Sequence, residues 1–255
     1  MCHRSLAILT WLAGITLFAA ACMAAVGTLH FQIFVRTHLR LTDIVWTGRQ
    51  FLYVENTTNR VFASGPSGRH LTALSKMPRQ VEETRCVVPT GSHGFPSGYL
   101  YCHAPDNKIY RLSANGKKVS VFATVPHVRR SDGALAFDTV GRFGDRFIAA
   151  TGRSGNGTAR GGSVFTSTPG GFVQFVAHYS NPGGADEAAV APAHFGSASG
   201  DILLTVDAGR TGSVVVVSPG GRVRTIAALP DGPNPIVTLD RDRSVVRRRR
   251  SRACT

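Results

Sequence analysis

The 255-residue sequence predicts an all-β fold, a β-propeller of four-stranded antiparallel blades, on three observations. First, the chain repeats itself. "FLYVENTTNRVFASGPSGRHLTALSKMP" (51–78) aligns without a gap, at an offset of 48, with "YLYCHAPDNKIYRLSANGKKVSVFATVP" (99–126). Second, a turn glycine recurs seven residues after a Val or Ile: Val61 to Gly68, Ile109 to Gly116, Val164 to Gly171, Val214 to Gly221. Third, 28 Gly, 13 Pro and 43% hydrophobic residues suit short strands and tight turns around a buried core. One small twisted sheet cannot bury both of its faces, so units of this size stack radially and cover one another. A β-sandwich is the structural alternative, but it does not account for the fourfold self-similarity.

Taken in order, residues 1–35 form the first segment. Arg4 is followed by no further Lys, Arg, Asp or Glu until Arg36, so the run is expected to be a hydrophobic helix. A cleaved export signal, an uncleaved anchor and a cytosolic chain remain open, because the run exceeds the roughly 20 residues a membrane span needs. Ala19 to Cys22 resembles a lipidation box without its usual leucine. The propeller is placed at 42–239. Its innermost strands are read from "DIVW", "RCVV", "ALAF" and "AAVA", and the second strands from "FLYV", "YLYC", "RFIAAT" and "DILLTV". The turns "GPSG", "SANG", "TPGG" and "SPGG" then carry residues that tolerate φ > 0. Cys86 and Cys102 fall on neighbouring strands roughly opposite each other; a disulfide and two buried thiols both fit.

A fifth unit begins at "DGPNPIVTL" (231–239), and "DRDRSVVRRRRSRACT" (240–255) follows where its second strand is expected. Arg, Ala, Gly and Pro share GC-rich codons, and a bacterial origin is expected. On that basis 240–255 reads as an out-of-frame, disordered Arg-rich tail on a truncated propeller. The rival reading is a closed four-bladed propeller with a solvated basic tail. Net charge is +14, of which the last sixteen residues supply +5. The body therefore lacks a concentrated basic stripe, and nucleic acid is an unlikely partner on this reading.

"SDGALAFDTVGRFGDRFIAAT" (131–151), followed by a strand and a "PGG" turn, resembles blades of the gluconolactonase and NHL-type six-bladed propellers. The resemblance spans about 42–238. It implies a propeller that is either a binding module or a metal-dependent lactone hydrolase. The "Glu-Gly-Pro" opening common in the lactonases is absent.

Polar residues just before each innermost strand can converge on the propeller axis. Here they are Asp43, Glu83, Asp132, Glu187 and Asn234, oxygen donors of the kind a hard divalent cation such as calcium takes. His127, His178 and Asp186 fall in the same loops and are candidates for a proton-transferring group. The alternative for each is a turn cap bonded to backbone N–H groups. His93, His103 and His194 lack metal-ligand spacing and read as turn or surface residues. The glycine-rich "GRSGNGTARGG" (152–162) lacks the Lys-Ser/Thr of a phosphate loop. Two functions follow: an exported or envelope-anchored ligand-binding module, or a metal-dependent hydrolase of lactones or similar esters. The partners expected are a small-molecule or envelope ligand and, if the first segment is retained, the membrane.

Overall fold

A computed structural model describes residues 35, 37–78, 84–89, 94–104, 106–126, 132–152, 160–230, 232 and 236. The expected hydrophobic helix of 1–35 and the tail 240–255 lie outside them, except for Val35. Among the described residues no helix is long and apolar enough to cross a membrane.

Within Thr37–Thr255 the chain forms four antiparallel four-stranded sheets arranged as a four-bladed β-propeller. Blade 1 contains β1 (Leu41–Trp46), β2 (Phe51–Glu55), β3 (Arg60–Ser64) and β4 (Thr72–Lys76). Blade 2 contains β5 (Cys86–Val87), β6 (Leu100–Ala104), β7 (Lys108–Leu112) and β8 (Val119–Thr124). Blade 3 contains β9 (Asp132–Phe137), β10 (Phe147–Gly152), β11 (Arg160–Ser167) and β12 (Val173–Pro182). Blade 4 contains β13 (Gly184–Val190), β14 (Ile202–Asp207), β15 (Gly212–Val217) and β16 (Val223–Leu229). Strands pair in sequence order within each blade.

Apolar side chains from facing blades make the core. Leu52, Val54 and Val61 meet Leu100, Tyr110 and Leu112 between blades 1 and 2. Tyr101 and Ile109 meet Leu135, Phe137 and Phe147 between blades 2 and 3. Ala150 and Val164 meet Leu204, Val206 and Val215 between blades 3 and 4. The other face of blade 4 buries Leu203 and Val216, with Ile236 packed on them.

A single joint recurs at these interfaces. Each outermost strand carries a bulge at the same place, at Leu74, Phe122, Val176 and Ile226. The carbonyl of each of the first three lies against the turn glycine of the next blade: Leu74 on Gly116, Phe122 on Gly171, Val176 on Gly221. Those glycines have φ of +68°, +85° and +77°, and a Cβ would drive into the carbonyl. The glycine spacing visible in the sequence therefore reflects two needs, a left-handed turn and close contact between blades. Ile226 is 43% exposed.

The gapless repeat does not hold in the second strands. Tyr53 pairs with Phe62, whereas Tyr101, its match by sequence, pairs with Arg111. A one-residue slip sends a side chain to the opposite face. Tyr101 thus packs toward blade 3, while Leu52 and Val54, the neighbours of Tyr53, pack toward blade 2. The turn chemistry explains the slip. The Glu55 carboxylate accepts the Thr57 and Thr58 N–H groups (3.0 and 2.7 Å) and starts a four-residue turn. His103 stands at the matching place without such a role, and β6 runs on to Ala104. Both turns end on asparagine at positive φ, Asn59 and Asn107.

Candidate functional site

The innermost strands β1, β5, β9 and β13 line a central cavity of about 400 Å³. Apolar side chains from all four blades line it, Trp46, Val87, Phe137 and Val190, with Ile236 beside them. Asp43 and Glu187 also line it. Both stand near the starts of their strands, next to bulges that break the register between Leu41 and Asp43 and between Ala185 and Glu187. Bulges of this kind re-aim side chains at the ends of sheets.

Four charged groups converge at this end. Arg85 of blade 2 reaches across to blade 4, where its Nη2 bonds Asp186 Oδ1 at 2.9 Å. Its Nη1 donates to the Thr42 carbonyl at 2.8 Å. Asp43 Oδ2 accepts the Cys86 N–H at 2.7 Å, tying blade 1 to blade 2. Asp186 is 7% exposed, and its Oδ2 is buried without a hydrogen-bond partner among the described residues. The Glu187 backbone N–H donates to Thr205 Oγ1 at 3.0 Å.

Burial and crowding set the protonation states. Burial pushes the Glu187 carboxyl up to about 7, and the nearby Asp43 charge adds to this against the opposing Arg85. Burial also raises Asp43, partly offset by its Cys86 hydrogen bond and by Arg85. Burial works to lower Arg85, but Asp186, with Glu187 and Asp43, leaves it raised. The site therefore holds the Arg85–Asp186 ion pair beside Glu187, which is only partly ionised near neutral pH, and Asp43, whose charged form burial disfavours.

Of the residues singled out from the sequence, Asp43, Asp186 and Glu187 come together at the channel, and Asp186 does so from within β13 rather than from a loop, because that strand already begins at Gly184. Asp132 opens β9 opposite Gly152. Glu83, His127 and Asn234 lie outside the described residues. His178 requires correction. It sits within β12 rather than in a loop, opposite Ser163, exposed, because β12 continues to Pro182. His103 is corrected as well, since it is 2% exposed in β6 rather than at the surface. Burial pushes it down to about 4, so it stays neutral. Gly133 makes room for it, since a Cβ there would collide with the imidazole. Cys86 and Cys102 form a disulfide across directly paired positions, with Cα atoms 4.1 Å apart. Arg85 was missed by a search for oxygen donors, although it stands immediately before "CVV", where such donors were sought. No group of three or more His, Cys, Asp or Glu side chains able to hold a metal occurs among the described residues.

No protein-family model matches the chain, and no curated protein matches its sequence. Its fold is similar to that of solved β-propeller proteins. A nidogen/laminin complex matches at 12% identity over 78% of this chain and 70% of that chain, with a TM-score of 0.55. An auxiliary nutrient binding protein from Bacteroides thetaiotaomicron matches at 12% identity over 78% and 54%, with a TM-score of 0.53. The extracellular domain of a one-component system from the same organism matches at 14% identity over 79% and 25%, with a TM-score of 0.50. The chain thus spans about half of the nutrient binding protein and a quarter of the one-component system domain.

Proposed function

We propose that this chain is an extracytoplasmic binding module that takes a small ligand in its central channel, with a cation held at the Asp43–Glu187 end. The carrying observation is the channel itself: a cavity walled by apolar side chains, with two carboxyls from blades 1 and 4 at one end whose charged forms burial disfavours. A positive centre there would favour the charged forms of both groups, so binding and ionisation reinforce each other. Calcium fits the all-oxygen donor type. Asp43 and Glu187 would hold it from the described residues, with Glu83 and Asn234 as further expected ligands. The extracytoplasmic assignment is supported by the Cys86–Cys102 disulfide, which persists in oxidising compartments. It is also supported by fold similarity to proteins described as an extracellular domain and a nutrient binding protein.

The test is thermal unfolding of the full chain with and without millimolar CaCl2. Stabilisation is expected for the native sequence and its loss for Asp43→Asn/Glu187→Gln. Equal response in both would refute the site. A hydrolytic reading uses the same groups, because a carboxyl with a pKa of about 7 can accept a proton near neutrality. Opening of an aldonolactone panel, abolished by Glu187→Gln, would favour that reading; no turnover with retained ligand or cation binding favours the binding module.

A further inference from the structure

A second concavity lies at the rim between blades 3 and 4, on the face opposite the acidic end of the channel. That placement follows from connectivity, because the β9–β10 loop and the β15–β16 turn open on one side of the meander and the strand starts used by Asp43 and Glu187 on the other. The groove has a volume of about 510 Å³. Arg142 and Arg146 line it together with Phe143, Phe175, Val176 and the Pro219–Gly220 turn. Among the described residues no acidic side chain lines it.

The two arginines differ. Arg142 is committed: its Nη1 donates to the Ser199 carbonyl at 2.5 Å and approaches Asp201 Oδ1 at 3.4 Å. Arg146 bonds only neutral oxygens among the described residues, Gln174 Oε1 and Thr166 Oγ1. A guanidinium has five donors in a planar fork, so most of its capacity for a carboxylate is unspent. In the same groove Phe175 is 57% exposed, and Phe172, three residues earlier in the chain, is 72% exposed; they are the two most exposed large apolar side chains described.

The backbone supplies the remaining feature. β12 is the edge strand of its sheet. At ten residues it is longer than its counterparts β4, β8 and β16, which have five, six and seven. A long edge strand presents a row of N–H and C=O groups to which an extended peptide can add as a further strand, its alternate side chains falling into adjacent pockets.

We propose that the β12 edge and this groove dock an extended acidic segment of a partner protein, placing a carboxylate on Arg146 and an apolar side chain against Phe175. Charge favours such a partner: the chain carries +14 overall, and the groove pairs a guanidinium lacking a carboxylate partner with exposed aromatic surface. A polynucleotide would need a row of cations, and only one of the two here is uncommitted.

The test uses the full chain and a fluorescein-labelled random Glu/Tyr copolymer, followed by anisotropy at physiological salt, with poly-Glu and phosphatidylglycerol vesicles in parallel. The copolymer is expected to bind more tightly than poly-Glu and to protect β12 amides from hydrogen exchange. Arg146→Glu and, separately, Phe175→Ser should each weaken copolymer binding about tenfold, the scale of one good contact. Both positions are at the surface, and unchanged unfolding profiles would show that the fold is retained. Copolymer binding that both variants leave intact would assign it to the Arg247–Arg250 run and overturn the proposal. An absence of binding, or variants that impair only vesicle binding, would also overturn it.

Discussion

Replacing Gly221 by alanine tests the joint between blades directly. The residue has φ +77°, and a Cβ there would lie 2.7 Å from the Val176 carbonyl oxygen of the preceding blade. That is about 0.7 Å inside the 3.4 Å at which ordinary contact begins, and the obstacle is backbone. The left-handed conformation costs alanine about 1 kcal/mol. Separating two packed blades costs about 2 kcal/mol more. Two other glycines separate these terms. Gly48 has φ +89° with nothing within 4 Å, so Gly48→Ala carries the conformational cost alone. Gly220 has neither a positive φ nor a near neighbour, so Gly220→Ala should be neutral or slightly stabilising. For a domain of this size the expected drop in thermal midpoint is about 6 to 12 °C for Gly221→Ala and about 2 to 4 °C for Gly48→Ala. Differential scanning fluorimetry measures all three. If Gly221→Ala melts no lower than Gly48→Ala, the joint does not hold the blades together.

Two further predictions concern charge. Glu187 has its pKa raised to about 7, so the folded state holds its proton, and this contribution to stability is lost as pH rises from 4.5 through 7. His103 is lowered to about 4, so its contribution runs the other way, growing as pH rises from 4 to 6.5. Each amounts to at most about 3 kcal/mol, and between pH 4.5 and 6.5 they largely cancel. Glu187→Gln should therefore gain stability with pH across that window and His103→Gln should lose it, measured by urea unfolding; parallel profiles would contradict the assignment. Arg85→Met should cost about 3 kcal/mol by leaving buried Asp186 without its charge partner, with partial recovery in Arg85→Met/Asp186→Asn. Equal stability of the single and double variants would show that the ion pair is not what the arginine supports.

Much of the fold was legible because it rests on local chemistry. Turn glycines and apolar runs recur along the chain, and they mark the hairpins of the four blades. Strand register was less legible. Glu55 and His103 occupy matching places in an ungapped alignment, yet only the carboxylate caps its turn, and one residue of slip then reverses which face Tyr101 presents. The site was legible in part. Asp43, Asp186 and Glu187 announced themselves as acids before strands, but Arg85 did not. Its role depends on Asp186, a hundred and one residues away, being brought across the channel.

The sequence by itself determined that this chain is a repeating β-sheet protein, where its hairpins turn, and that acidic groups stand just ahead of the apolar stretches of its innermost strands. Those features are encoded within a few residues of each other, in backbone conformation and strand periodicity. Only the tertiary structure decided which acids meet, which of them an arginine neutralises, and that His103 is buried. Ionisation depends on burial and on charges from other blades, and neither exists until the blades pack.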